Sequence, residues 1–211
     1  MRTDDLVALL GADDTPPRPI APRLMAHAGV GLAGSAAVAL GVLGIRPDLL
    51  AALADPVTLM KWVLPLAAAL PALRAALRLA RPQVRSAPAQ WLSVTVALMA
   101  MLWLVLAAVS APPGALWPQI RGSTALICLT SVTLVGIVPL VVGLRILSEG
   151  ASTAPARSGA LLGLASGGLA AAIYALHCDE DAPLFFLTWY SLGIMIVTAL
   201  GALMARRMLR W

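Results

Sequence analysis

The sequence predicts an all-α membrane protein: six transmembrane helices in a compact bundle, with both termini cytoplasmic. Three observations predict it. Hydrophobic residues make up 60% of the chain and charged residues 12%, about half the charged share of a soluble globular domain. The apolar residues fall into six runs, each long enough for about 30 Å of hydrocarbon at about 1.5 Å per residue. Arginines gather at the ends of those runs, where headgroups and topology account for them. The net charge of +5 therefore reads as membrane topology, and no direct contact with nucleic acid is expected.

The chain divides into an N-terminal cytoplasmic segment (1–24), a six-helix domain (25–206) and a C-terminal cytoplasmic tail (207–211). The first segment opens "MRTDDLVALLGADDTPPRP". Thr3 is a capping type, and Asp4 and Asp5 suit the positive first turn of a helix. Leu6, Leu9 and Leu10 fall on one face. Gly11 stops the helix, and Pro16 and Pro17 prevent its continuation. Two to three turns are marginal alone in water, so this amphipathic piece reads as a ligand for a partner's apolar groove with a basic rim. Its acids argue against lying on anionic lipid. No apolar core followed by a cleavage site precedes the first span, which is expected to stay in place.

The spans read as 26–45, 57–79, 90–110, 123–147, 159–177 and 185–205. Pro65 and Pro71 should bend the second, and Pro139 the fourth. Arg2, Arg18, Arg23, Arg74, Arg78, Arg81, Arg85, Arg145, Arg157, Arg206, Arg207 and Arg210 fall on the side of the termini, against Arg46, Lys61 and Arg121 on the other. That bias makes the termini cytoplasmic. The loops 46–56, 111–122 and 178–184 then face outward, into an oxidising compartment in a bacterium. Gly159, Gly163 and Gly167 repeat every fourth residue, as do Gly29, Ala33, Ala37 and Gly41. Such spacing marks close helix packing, within a bundle or across a dimer. No ionisable residue sits near the middle of a span, which speaks against transport. A Walker-type loop, a His-Glu-x-x-His pair and a Gly-x-Ser-x-Gly elbow are missing from the sequence, and no enzyme is expected.

The stretch "LHCDEDAP" concentrates His177, Cys178, Asp179, Glu180 and Asp181 between two apolar runs. The other cysteine, Cys128, lies near the outer end of the fourth span, at a similar depth. Two thiols in an oxidising compartment form a disulfide when their Cα atoms approach within about 7 Å. With His177, Asp179, Glu180 or Asp181 they also make a mixed set suited to zinc or copper. Against this, Cys128 reads as a small apolar residue in a helix, His177 as a cap of its helix C-terminus, and the acids as a solvated loop.

The runs "RSGALLGLASGGLAAAIYALHCDEDAPLFFLTWYSLGIMIVTALGALMARRMLRW" and "TDDLVALLGAD" resemble the NrsF family of bacterial integral-membrane anti-sigma factors over the whole chain. The most specific matches are His177-Cys178, Glu180-Asp181, Pro183, Trp189-Tyr190, Gly193 and Arg210-Trp211. Asp179 stands where the family pattern usually has proline. The resemblance implies an inner-membrane protein whose partner is an extracytoplasmic-function sigma factor, released under stress. It implies sensing by Cys128 and Cys178; no cofactor is expected to be required, and zinc or copper on the ligand set above is expected only as a signal. It puts sigma binding on the cytoplasmic face, which on this sequence means Asp4, Asp5, Leu6, Leu9 and Leu10, helped by the 80–89 loop and the C-terminus. Rival readings are a small-molecule or metal transporter, an assembly factor with structural cysteines, and a thiol oxidoreductase.

Overall fold

The computed structural model describes residues 2–11, 19–81 and 88–209. Among them every regular element is a helix: α1 (Thr3–Gly11), α2 (Ile20–Leu43), α3 (Leu49–Ala54), α4 (Pro56–Leu79), α5 (Ala89–Val109), α6 (Leu116–Arg121), α7 (Ala125–Leu147), α8 (Pro155–Tyr174) and α9 (Pro183–Met208). Six stretches among the described residues are long and apolar enough to cross a membrane, with α6 and α7 forming one of them.

Local chemistry sets the boundaries. Pro56, Pro155 and Pro183 each open a helix, where a missing N–H costs nothing and φ is already helical. The Asp55 carboxylate accepts the Thr58 amide at 2.7 Å and caps α4. Gly44, at φ 82°, ends α2 in a conformation that side chains resist. The first spanning helix starts at Ile20 rather than 26, and the last runs to Met208 rather than 205. Arg23, whose charge suggests a position outside the span, is held inside α2 by the Glu149 carboxylate, with the Nη2–Oε1 contact at 2.9 Å. Arg206 and Arg207 lie in the last turn of α9, where the helix dipole favours cations.

α4 runs unbroken through Pro65 and Pro71, and α7 through Pro139. A proline frees the carbonyl four residues earlier. For Pro139 that is Val135, and the Ser35 hydroxyl of α2 donates to it at 3.2 Å. A neighbouring helix thus satisfies the group that lipid would leave bare.

α8 lies at the centre. A methyl group on Gly163 would sit 2.5 Å from the Val197 carbonyl of α9, and one on Gly168 would sit 2.7 Å from the Pro65 carbonyl of α4. The Gly159/Gly163/Gly167 repeat is therefore a seam inside the bundle. The Gly29/Ala33/Ala37/Gly41 repeat is exposed on α2, and nothing lies within 4 Å of a methyl built on Gly29 or Gly41. α2 and α5 expose apolar side chains such as Val42, Leu98 and Val109, as lipid-facing helices do.

The bundle has two dissimilar ends. One gathers the start of α2, the ends of α4, α7 and α9, and the start of α8, around Leu24, Leu79, Leu147 and Leu209. It is called here the basic end. The opposite end gathers the 44–55, 110–124 and 175–182 connections above a core of Trp62, Cys128, Tyr174, Cys178, Phe185 and Tyr190.

Candidate functional site

The acidic connection between α8 and α9 is tied down by two buried cations. Lys61, in the second turn of α4, has no exposed surface. Its ammonium donates to the Cys178 carbonyl at 2.6 Å, the Asp181 Oδ1 at 3.0 Å and the Glu180 carbonyl at 3.2 Å. An ammonium has three protons, so Lys61 is fully satisfied. Arg46 follows the Gly44 turn, and its amide donates to the Leu176 carbonyl at 2.9 Å. Its guanidinium donates to both Asp48 oxygens and both Asp181 oxygens at 2.8 Å, and to the Cys178 carbonyl at 3.0 Å. That accounts for all five guanidinium protons.

Two cations and two carboxylates thus close on each other. Balance of this kind lets Arg46 and Lys61 stay buried, because a buried charge without a partner is strongly destabilising. Asp181 is shared. Burial alone would raise its pKa, but hydrogen bonds from Arg46 and then Lys61 outweigh that and hold it below the usual carboxylate value. The hydrogen bond from Arg46 holds Asp48 at about 2. Arg46 is raised in turn, by Asp181 first and Asp48 second.

The functional consequence lies at Cys178. Its backbone carbonyl accepts from both cations, so the position of this cysteine is bound to α4 and to the α2–α3 turn. Its amide donates back to the Tyr174 carbonyl at 3.1 Å. Cys178 is 2% exposed and Cys128 is fully buried. Both are free thiols in one apolar cluster with Trp62, Phe185 and Tyr190. Cys128 sits in the first turn of α7, its amide bonded to the Thr124 carbonyl at 2.8 Å. The hydroxyls of Thr124, Tyr174 and Tyr190 are buried beside the two thiols, Tyr174 facing Thr124 and Tyr190 facing Cys178.

The remaining side chains singled out in the sequence go elsewhere. The Glu180 Oε1 accepts from the Ser123 amide and hydroxyl, both at 2.6 Å. That contact docks the α6–α7 connection, and Trp189 fixes the end of α6 by donating to the Ile120 carbonyl at 2.7 Å. The His177 Nδ1 donates to the Gly44 carbonyl at 3.2 Å, and its ring meets Tyr174 edge-on. Asp179 is exposed. The structure brings the two thiols into one cluster and engages Asp181, Glu180 and His177 separately. Among the described residues no group of three or more His, Cys, Asp and Glu side chains is set to hold a metal ion.

Sequence reasoning treats Arg46 and Lys61 only as topological markers and misses their part in the site. A signal was present. They are two of the three bases on a side of the molecule that carries five acids, and Lys61 stands in an apolar run where a cation needs a partner. Which acid it finds, 120 residues away, is a matter of tertiary structure.

At the basic end, α1 forms where the leucine pattern places it. Its start is stabilised by the Asp5 carboxylate, which accepts the Arg2 amide at 3.1 Å. This is the return half of a capping box, with Arg2 rather than Thr3 at the cap position. Asp4 and Asp5 are exposed in the first turn. The side chains of Leu6, Leu9 and Leu10 lie outside the description, as do Pro16, Pro17, residues 82–87 and Arg210-Trp211.

A family model described as NrsF, negative regulator of sigma F, matches residues 10–211. A curated relative named anti-sigma-F factor NrsF, from Caulobacter vibrioides, is 34% identical with all of both chains covered. One named probable anti-sigma-F factor NrsF, from Azospira oryzae, is 32% identical, again with both chains fully covered. No solved structure matches.

Proposed function

We propose, from the premise that this chain belongs to the NrsF family of negative regulators of sigma F, how its two ends divide the work of an anti-sigma factor. Such a factor is a regulator, not an enzyme, and its partner is a sigma factor. On our reading the partner is of the extracytoplasmic-function type, held at the bacterial inner membrane by α1. The arginine bias supports a cytoplasmic basic end and a periplasmic opposite end, where the network of Arg46 and Lys61 with Asp48 and Asp181 forms a lock on the Cys178 backbone.

The signal enters at Cys128 and Cys178. The two thiols lose two protons and two electrons as the S–S bond forms, and hydrogen peroxide takes up both and leaves as two molecules of water. A soft metal such as zinc or copper acts on the same two sulfurs with exposed Asp179, and recruits Glu180, Asp181 or His177 only by displacing their present partners. Either event pulls on a backbone whose carbonyl is fastened to Lys61 and Arg46. The displacement passes along α4 to the basic end, and α1 loses the sigma factor. To matter, the stimulus must favour the releasing state by a few kcal/mol.

The single observation that carries this reading is the double hydrogen bond from Arg46 and Lys61 to the Cys178 carbonyl. It gives a buried thiol a mechanical link to a spanning helix. The test is a sigma-dependent reporter in cells carrying Cys128→Ser/Cys178→Ser. Repression at rest with no induction by oxidant, zinc or copper supports the reading. Normal induction would sink it.

A further inference from the structure

α2 packs on α7 and barely touches α4. At the basic end the space between α2 and α4 widens into a groove of about 810 Å³. Ile20 and Leu77 supply apolar walls, and Arg74, Arg78 and Arg81 line its edge. The first two arginines stand one turn apart on α4, and Arg81 follows its end. All three are exposed, and among the described residues no carboxylate pairs with them. Arg23 and Arg157 differ, being engaged by Glu149 and Gln90.

Deeper between the same two helices lies an apolar crevice of about 150 Å³. Leu24, Ala28 and Leu32 of α2 and Leu73 of α4 wall it, and Leu162 and Ala165 of α8 line its other side. Among the described lining residues Ser166 alone carries a hydroxyl, and none is charged. Leu73 stands about 7 Å deeper than Arg78 along α4, and Leu32 about 18 Å deeper than Ile20 along α2. One leaflet of hydrocarbon is about 15 Å thick. The crevice therefore lies at acyl-chain depth and the arginines at headgroup depth. Small residues keep it open. A methyl group built on Gly31, where α2 meets α7, would lie 3.3 Å from the Val138 side chain, whereas one built on Gly29, which lines the crevice, meets nothing within 4 Å.

We propose that the groove and the crevice are one site for an anionic glycerophospholipid. Its phosphate sits at Arg74, Arg78 and Arg81, whose guanidinium forks match pairs of phosphate oxygens. One acyl chain runs down the crevice between α2 and α4. Basic pockets between spanning helices take acidic headgroups in this way. A soluble acidic protein would satisfy the arginines but cannot follow the crevice into hydrocarbon. A free phosphate would leave the crevice empty, and its walls would forfeit their contacts. The lipid bridges two helices that the protein itself scarcely joins: α2, which follows the α1 segment, and α4, which carries Lys61 near its other end. The assignment does not depend on what the thiols sense.

The test uses the full chain in nanodiscs of phosphatidylcholine with phosphatidylglycerol as a minor component, read by native mass spectrometry. One phosphatidylglycerol should stay with each chain, enriched at least about tenfold over its share of the bilayer. A phosphatidylglycerol with a diazirine on its acyl chain should crosslink to residues 24–32 and 162–169 rather than to the exposed face of α5. This mapping needs no variant, so it decides the matter even where a variant fails to fold. Arg74→Gln/Arg78→Gln/Arg81→Gln should lose the enrichment. So should Gly29→Phe, which fills the crevice and leaves every arginine in place. Equal retention of the two lipids, crosslinks spread over α5, or enrichment unchanged in the triple variant would overturn the proposal. Enrichment that survives Gly29→Phe would do the same, by reducing the arginines to a headgroup patch with no chain site. Sigma factor crosslinked to residues 74–81 in place of the lipid would give the groove to a protein, and would also overturn it.

Discussion

The two ends of this bundle use the same residue types in opposite ways. At the lock, Arg46 and Lys61 are buried and every proton they carry is bonded. At the basic end, Arg74, Arg78 and Arg81 are exposed, with no carboxylate partner among the described residues. A saturated, buried charge network has few alternative arrangements and holds one state. Exposed, unpaired cations on a groove exchange partners cheaply. The contrast separates a closed end, where two buried cations hold the Cys178 backbone, from an open end whose cations face outward.

The largest expected effect breaks that contrast at its buried side. Asp181→Asn leaves Lys61 and half of Arg46 uncompensated, and should cost about 3–5 kcal/mol. Thermal unfolding in detergent would read it as a large drop in Tm. Lys61→Met should cost less, under about 2 kcal/mol, because Asp181 keeps Arg46 and the new side chain is apolar. Glu149→Gln, which weakens the exposed Arg23 pair at the basic end, should shift Tm far less, because solvent screens that pair. If the Glu149 and Asp181 variants unfold at the same temperature, the distinction between the ends fails.

A middle-sized effect tests the frame that joins them. Gly163→Ala puts a methyl group 2.5 Å from the Val197 carbonyl, and should cost about 1–3 kcal/mol as α8 and α9 are forced apart. The same change at Gly41, which meets nothing within 4 Å, should be neutral or slightly stabilising. The smallest expected effect concerns acid. Asp48 is held at about 2 against an ordinary 3.8, so its contribution is complete above pH 3.8 and is lost as pH falls toward 2. Tm should be flat above that window and fall within it, less steeply in Asp48→Asn.

The sequence carries much of this. Six apolar runs, the acidic opening of α1 and the Gly159 repeat are local patterns, and each finds its element. The shared depth of Cys128 and Cys178 is also legible, because both stand a short distance from the same ends of their spans. The ion-pair partners are not. Arg46 to Asp181 and Lys61 to Asp181 bridge separate helices, and periodicity assigns a residue to a face without naming the helix opposite. Nor does the pattern tell that Gly159 lines a bundle seam while Gly29, at the same spacing, looks outward. That difference arises from which helix is central, and α8 becomes central only when its glycines meet α9 and α4 together.

The central claim is that the thiol pair sets the state of the lock and thereby of the sigma factor. It is tested most directly by trapping free thiols in intact cells with a membrane-permeable, mass-tagged maleimide before and after oxidant, zinc or copper, while a sigma-dependent reporter is read in the same culture. The account expects Cys128 and Cys178 to lose labelling together as the reporter rises, with a reductant or a chelator restoring both. A reporter that rises while the labelling of both cysteines stays unchanged would contradict it.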